Sequence, residues 1–162
     1  MFGSLVVHSS TYLLITTGLE RFSGWKRPAS SVAMRRLKLG KWPLYERTAF
    51  KAHIRSGDRV LIYLGGSRSP TGVVYGKATV GRNALWTKSG PYQEYADTIC
   101  ERPWSVLDLF NSEVFDAPVD FRSLLPHLDC RPKNLRKWGV VVLGGLKSIT
   151  EHDYEKIISQ SR

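Results

Sequence analysis

Two β-branched, apolar segments lying close together along the chain constrain the fold more than anything else in the sequence. Residues 59–65 (RVLIYLG) follow a Ser56-Gly57-Asp58 turn, and residues 72–81 (GVVYGKATVG) return after the short loop 66–71. Val, Ile, Tyr and Thr suit the pleated surface of a sheet, and a Gly/Ser/Pro-rich loop of this length joins antiparallel neighbours. A hairpin is therefore predicted over residues 59–81, and the rest of the chain must add to its edges or pack on its faces.

Further strand patterns support a sheet. Residues 11–17 (TYLLITT) are β-branched and aromatic, end at Gly18, and read as a buried strand. Residues 104–110 and 114–119 alternate well enough for two strands separated by Asn111-Ser112, and residues 138–143 (WGVVVL) read as another, closed by Gly144-Gly145. Helices are few. One is predicted around residues 31–39, and a short one over 121–128 with Asp120 as its N-cap. A third begins at Thr150-Glu151-His152-Asp153, a capping-box variant, with Tyr154, Ile157 and Ile158 on one face. Five or six strands without an alternating βα rhythm predict an α+β fold, a mixed β-barrel or strongly curved sheet. Residues 1–10 show no clear period and are expected to form a flexible leader, with residues 11–160 as a single domain.

Charge narrows the partner. Residues 20–59 carry eleven Lys or Arg against three acids, a net +8 of the chain's total of +10. Trp25, Trp42, Tyr45 and Phe50 lie among these cations. Cations neutralise phosphates and flat rings stack on bases, so the mixture points to nucleic acid. Residues 104–130 are net −4 and residues 131–162 net +4, which predicts a molecule with opposed basic and acidic faces. Cys100 and Cys130 have no metal-ligand spacing and are expected as reduced thiols. No apolar run spans a bilayer and no secretory signal is recognisable, so a cytoplasmic monomer without membrane contact is expected.

Little in the sequence points to catalysis. Gly65-Gly66 and Gly144-Gly145 follow strands without opening a helix at phosphate-loop spacing. His8, His53, His127 and His152 are scattered, and no cofactor or metal is expected. Glu46, the acid inside the basic stretch, reads as an ion-pair partner; a catalytic base or an acceptor for a base edge is the functional alternative. Trp104 reads as core, Trp138 equally as core or pocket wall, and Trp42, set between Gly40-Lys41 and Pro43, as a pocket residue.

Two runs carry a family resemblance. These are I-x-x-G-D-x-V-L-I-Y at residues 54–63 and I-T-x-x-D-Y-x-x-I at residues 149–157. With the first strand, the KWPLYERTAF segment, the returning hairpin strand and the DFRSLLPHL segment in order between and around them, the chain resembles the EVE domain of the PUA-like superfamily. The resemblance implies a curved β-barrel of five to six strands with peripheral helices, related to YTH and ASCH domains. It also implies a pocket for a flipped, modified nucleobase such as a methylated one, in DNA or RNA. By position, the resemblance places that pocket at Thr16, Thr17, Trp42, Leu44, Tyr45, Tyr63, Leu64, Gly65 and Trp138. Arg35, Arg36, Lys38, Lys41, Arg47 and Lys51 would then hold the phosphates. The chief alternative is an ASCH-like enzyme acting on RNA or a modified nucleoside, for which Lys41, Glu46 and Arg47 give a partial signature. A protein- or ribosome-binding module using the basic face alone is a third reading.

Overall fold

The structure, a computed structural model, describes residues 9–17, 19–20, 26–66, 70–90, 92 and 102–161. In chain order it contains β1 (Thr11–Thr16), β2 (Leu19–Glu20), β3 (Lys26–Arg27), α1 (Ala29–Leu39), β4 (Lys41–Leu44), β5 (Arg59–Leu64), β6 (Val73–Leu85) and β7 (Ser105–Asp120). Then come α2 (Phe121–Leu124), 3-10 turns at Leu125–His127 and Leu135–Val142, β8 (Leu146–Ile149) and α3 (Glu151–Gln160). Six strands form one sheet in the order β4-β7-β6-β5-β1-β8, curled into a half-barrel, and β2 and β3 pair separately. Only the β1–β5 pairing is parallel within that sheet. The fold is α+β, as expected.

The central strands are apolar at nearly every position because both faces of the sheet are covered. Leu14, Val60, Ile62 and Leu64 face a cluster completed by α1 and by Trp42 and Leu44 of β4. Leu13, Leu61 and Tyr63 point the other way, onto Phe121, Leu125 and the Tyr154–Ile157–Ile158 face of α3. A strand buried on both sides loses polar alternation, which is why RVLIYL reads as a continuous apolar run. Each such side chain contributes about 1.5–3 kcal/mol by leaving water.

The two runs that carry the family resemblance turn out to be braces at one end of this sheet. Asp58, 3% exposed, accepts hydrogen bonds from the Arg55 and Ser10 amides, both at 2.9 Å, closing its own turn and fixing the start of β1. Asp153, with no exposure, accepts from the Asp129 and Cys130 amides at 2.6 and 3.0 Å, while Thr150 caps α3 by accepting from the Asp153 amide at 3.1 Å. Arg59 joins the two braces, its guanidinium 4.4 Å above the Tyr154 ring and 3.2 Å from Glu151.

Several expectations are corrected. Residues 105–120 are one bent strand, not two. Asn111 adopts a φ of 50°, which Asn tolerates, and register shifts against β6 absorb the irregularity without ending the ladder. Residues 138–143 are not a strand but lie largely in a 3-10 turn, with Asn134 accepting from the Arg136 amide, and Val140 and Leu143 61% and 67% exposed. The β1 edge that such a strand would take is occupied by β8, which the sequence did not reveal. Residues 41–44, for which no strand was expected, form edge strand β4, and Trp42 is 2% exposed within a buried cluster. Pro43 is admitted because an edge strand has ladder positions that need no N–H donor. Trp104 is half-buried at the start of β7, not core. Most of the expected leader, residues 1–8, and Cys100 lie outside the described residues.

Candidate functional site

The site is built where α1, β4 and the exit of β1 meet. Helix α1 buries Val32, Ala33, Arg36 and Leu37, and Gly40 ends it in the left-handed conformation, turning the chain directly into β4. β4 pairs with β7 in the register Trp42↔Leu107 and Leu44↔Val106's neighbour Ser105. Beyond it, the Tyr45 amide donates to Thr48 Oγ1 at 3.0 Å and the Thr48 amide donates to the Tyr45 carbonyl at 2.9 Å, closing a tight turn. Gly144 and Gly145, with φ of 90° and 77°, tie that turn to the sheet. The Gly144 carbonyl accepts from Ala49 and the Gly145 carbonyl from Ile15. Side chains other than glycine rarely adopt two such angles in succession.

These elements enclose a cavity of about 180 Å³ lined by the β1 exit, β4, the 45–48 turn, Gly145 and Arg36. Arg36 is 5% exposed, and its guanidinium carbon lies 4.9 Å from the centroid of the Trp42 ring. The buried guanidinium and the indole form a cation–π pair in the cavity wall. Thr16 is buried, with its hydroxyl donating to the Thr17 carbonyl at 3.2 Å, and Thr17 is exposed.

Of the residues expected at a pocket, Thr16, Thr17, Trp42, Leu44 and Tyr45 line this cavity. Gly65 adjoins it, its amide donating to the Thr16 carbonyl at 2.8 Å. Leu64 belongs to the same buried cluster as Trp42 and Leu44. Tyr63 and Trp138 lie on the opposite face of the sheet. Tyr63 meets Phe121 edge-on at 5.4 Å, and the Arg122 guanidinium covers the Trp138 ring at 5.3 Å. Burial, with a lesser effect from Asp120, pushes the Tyr63 phenol pKa up.

The cations separate in the same way. Arg35, Lys38 and Arg47 are exposed, whereas Arg36 is a wall of the cavity and not a surface contact. Lys41 is held by Asp108, which also takes Arg82 at 3.3 Å. Lys51 donates to the Glu46 carbonyl at 2.7 Å and lies over the Trp104 ring at 5.3 Å. Arg36 was expected as a phosphate contact, although a signal for its inward position exists: residues 32, 33, 36 and 37 form a helical stripe, and a cation on that stripe faces inward. Thr48 and Gly145 carry no comparable signal, because they reach the cavity through turns.

Asp129, His152 and Asp153 bring their ligand atoms within 4.8 Å of one another, a grouping that their sequence spacing concealed. The oxygens already serve the end brace. Thr150 donates to Asp129 at 2.7 Å and holds its carboxyl below the usual range, with His152 adding to the effect.

No protein-family model matches the chain, and no curated protein matches it in sequence. Solved structures do match it in shape. Human THYN1, in complex with DNA containing 5-methylcytosine, superposes with a TM-score of 0.60 at 12% identity, over 95% of this chain and 98% of that one. A Pseudomonas syringae protein gives 0.58 at 15% identity, over 94% and 100%. A hypothetical protein from Leishmania major gives 0.54 at 16%, over 95% of each. At such identities the likeness is one of fold. The chain shares with these proteins an α+β fold built on a curved sheet.

Proposed function

We propose that this domain binds nucleic acid and takes a single flipped, modified nucleobase into the cavity between α1, β4 and the β1 exit. The observation that carries the reading is the Arg36–Trp42 stack, a buried guanidinium at 4.9 Å over a buried indole in a small cavity, with Arg35 and Lys38 exposed on the same helix and Arg47 exposed in the turn after β4. The shared fold with THYN1, whose structure holds 5-methylcytosine DNA, makes a modified base the fitting occupant. The volume, about 180 Å³, is below the roughly 300–1,000 Å³ of pockets for drug-sized ligands and suits one flat ring entering edge-first.

The energetics are consistent. Extruding a base costs a few kcal/mol, and stacking on an aromatic face returns about 1–3 kcal/mol. The Arg36 donors supply the edge-reading that favours one base over another, at about 1–3 kcal/mol for a bidentate pair. Exposed cations hold the backbone whatever its sequence. We read the domain as a binder, not an enzyme, because, of the residues that gave the alternative its partial signature, Lys41 is paired with Asp108, and Glu46, the candidate catalytic base, lines a hollow other than the cavity.

The test is fluorescence anisotropy with matched oligonucleotides containing cytosine or 5-methylcytosine, as DNA and as RNA. The wild type is expected to prefer the modified strand. Arg36→Met and Tyr45→Ala should erase that preference, and Trp42→Phe should reduce it while keeping the core filled. Lys38→Glu should weaken both oligonucleotides alike. Equal affinity of the wild type for modified and plain strands across a panel of modified bases would overturn the proposal, as would a preference that survives Arg36→Met and Tyr45→Ala together.

A further inference from the structure

We infer that the cleft around Trp104 is a second binding site, a track for single-stranded nucleotides running beside the base cavity. Two hollows, of about 410 and 380 Å³, share Leu85 and Trp104, so they form one cleft with these side chains as its divide. Leu85 is 62% exposed, which by itself means little. Here it adjoins half-buried Trp86 and Trp104, and the same cleft is lined by Arg55, Arg82 and Arg102, all exposed. Lys51 lies 5.3 Å over Trp104 and Lys88 5.7 Å over Trp86. Glu46 is the acid among the lining residues. Stacking platforms set among cations are the composition by which proteins hold single strands irrespective of sequence, and a duplex, with its base faces covered, has nothing to offer them.

Continuity with the cavity supports this choice of ligand, and to that extent the inference rests on the nucleic-acid reading above. The Trp104 amide donates to the Leu44 carbonyl at 2.8 Å, and the Trp86 amide donates to the Trp104 carbonyl at 3.0 Å. Leu44 and Tyr45 line the base cavity, and Glu46, the next residue, lines the cleft. A strand leaving the cavity over Tyr45 therefore meets Trp104 first. There the Lys51 ammonium, on a flexible stem, marks the ring face that a base would share or take.

The experiment compares unmodified oligothymidylate with an abasic oligomer of equal length and charge. Wild type should bind the thymidylate about tenfold more tightly, because only the former can stack. Trp104→Ala should remove the difference, and Leu85→Glu, at an exposed position, should weaken thymidylate binding with the fold intact by circular dichroism. Asp116→Asn, exposed on β7 and lining neither the cavity nor the cleft, should leave the difference unchanged, and the ratio between modified and plain strands, measured alongside in Trp104→Ala, registers the cavity separately from the track. Equal binding of the two oligomers by the wild type overturns the inference, as does a folded Trp104→Ala that binds like the wild type. Polyglutamate competing as strongly as oligothymidylate would also overturn it, since the cleft would then be sensing charge alone.

Discussion

Burial sets the chemistry of individual residues on the α3 side of the sheet. The Cys130 thiol sits against that cluster with Asp153 beside it, and the two effects push its pKa to about 12 from a reference of 9.0. Tyr63 and Tyr154 are raised from 10.0, chiefly by burial. A raised value means that the folded state keeps a proton which the unfolded chain releases. The stability linked to Cys130 is therefore complete below pH 9 and declines as pH rises toward about 12, with the tyrosines adding their share above pH 10. Urea midpoints should fall across that alkaline window, and Cys130→Ala should make the decline shallower. An unchanged slope in that variant would show that the thiol is ionised in the folded protein. Such a thiol is also a poor nucleophile at neutral pH, because reactivity follows the thiolate.

Elements were legible where local chemistry and burial agreed. The hairpin, the first strand and the α3 cap follow from β-branched runs, a GD turn and a Thr N-cap, and Asp120 caps α2 by accepting from the Ser123 amide. They were misread where a long-range partner decided the outcome. Residues 138–143 have strand composition, but the β1 edge is taken by β8, and β4 is a strand only because β7 reaches it. The β6–β7 ladder, 13 residues against 16, also depends on a detail invisible in sequence, the close approach at Gly76. A Cβ there would lie 2.3 Å from the Glu113 carbonyl oxygen, so Gly76→Ala must push the strands apart at a register shift. It should destabilise the protein by about 1–3 kcal/mol, read from urea midpoints. Gly139→Ala, where nothing lies within 4 Å of a new Cβ, is the control and should be close to neutral. Similar midpoints for the two would show that the ladder relaxes freely around Gly76.

At the scale of the molecule, the charge that suggested a polyanion is distributed less simply than its position in the chain implied. Of the basic stretch, Arg36 is interior and Lys41 is neutralised by an acid 67 positions away, a pairing that no local reading can supply. With Arg82 of the cleft set aside because Asp108 takes it, the exposed cations offered to phosphates are Arg35, Lys38, Arg47, Arg55 and Arg102. If these five each meet a phosphate, binding of a single strand should weaken with salt at a slope of about −3 to −4 in log K against log salt. The total of +10 would suggest a steeper slope of about −7, so the measurement separates local contacts from bulk charge. Lys38→Glu combined with Arg47→Glu should reduce the slope by about 1–2 and lower affinity for every strand, leaving the ratio between modified and unmodified oligonucleotides untouched. A change in that ratio would mean that the surface cations take part in reading the base, and the division between a backbone-holding surface and a base-reading cavity would fail.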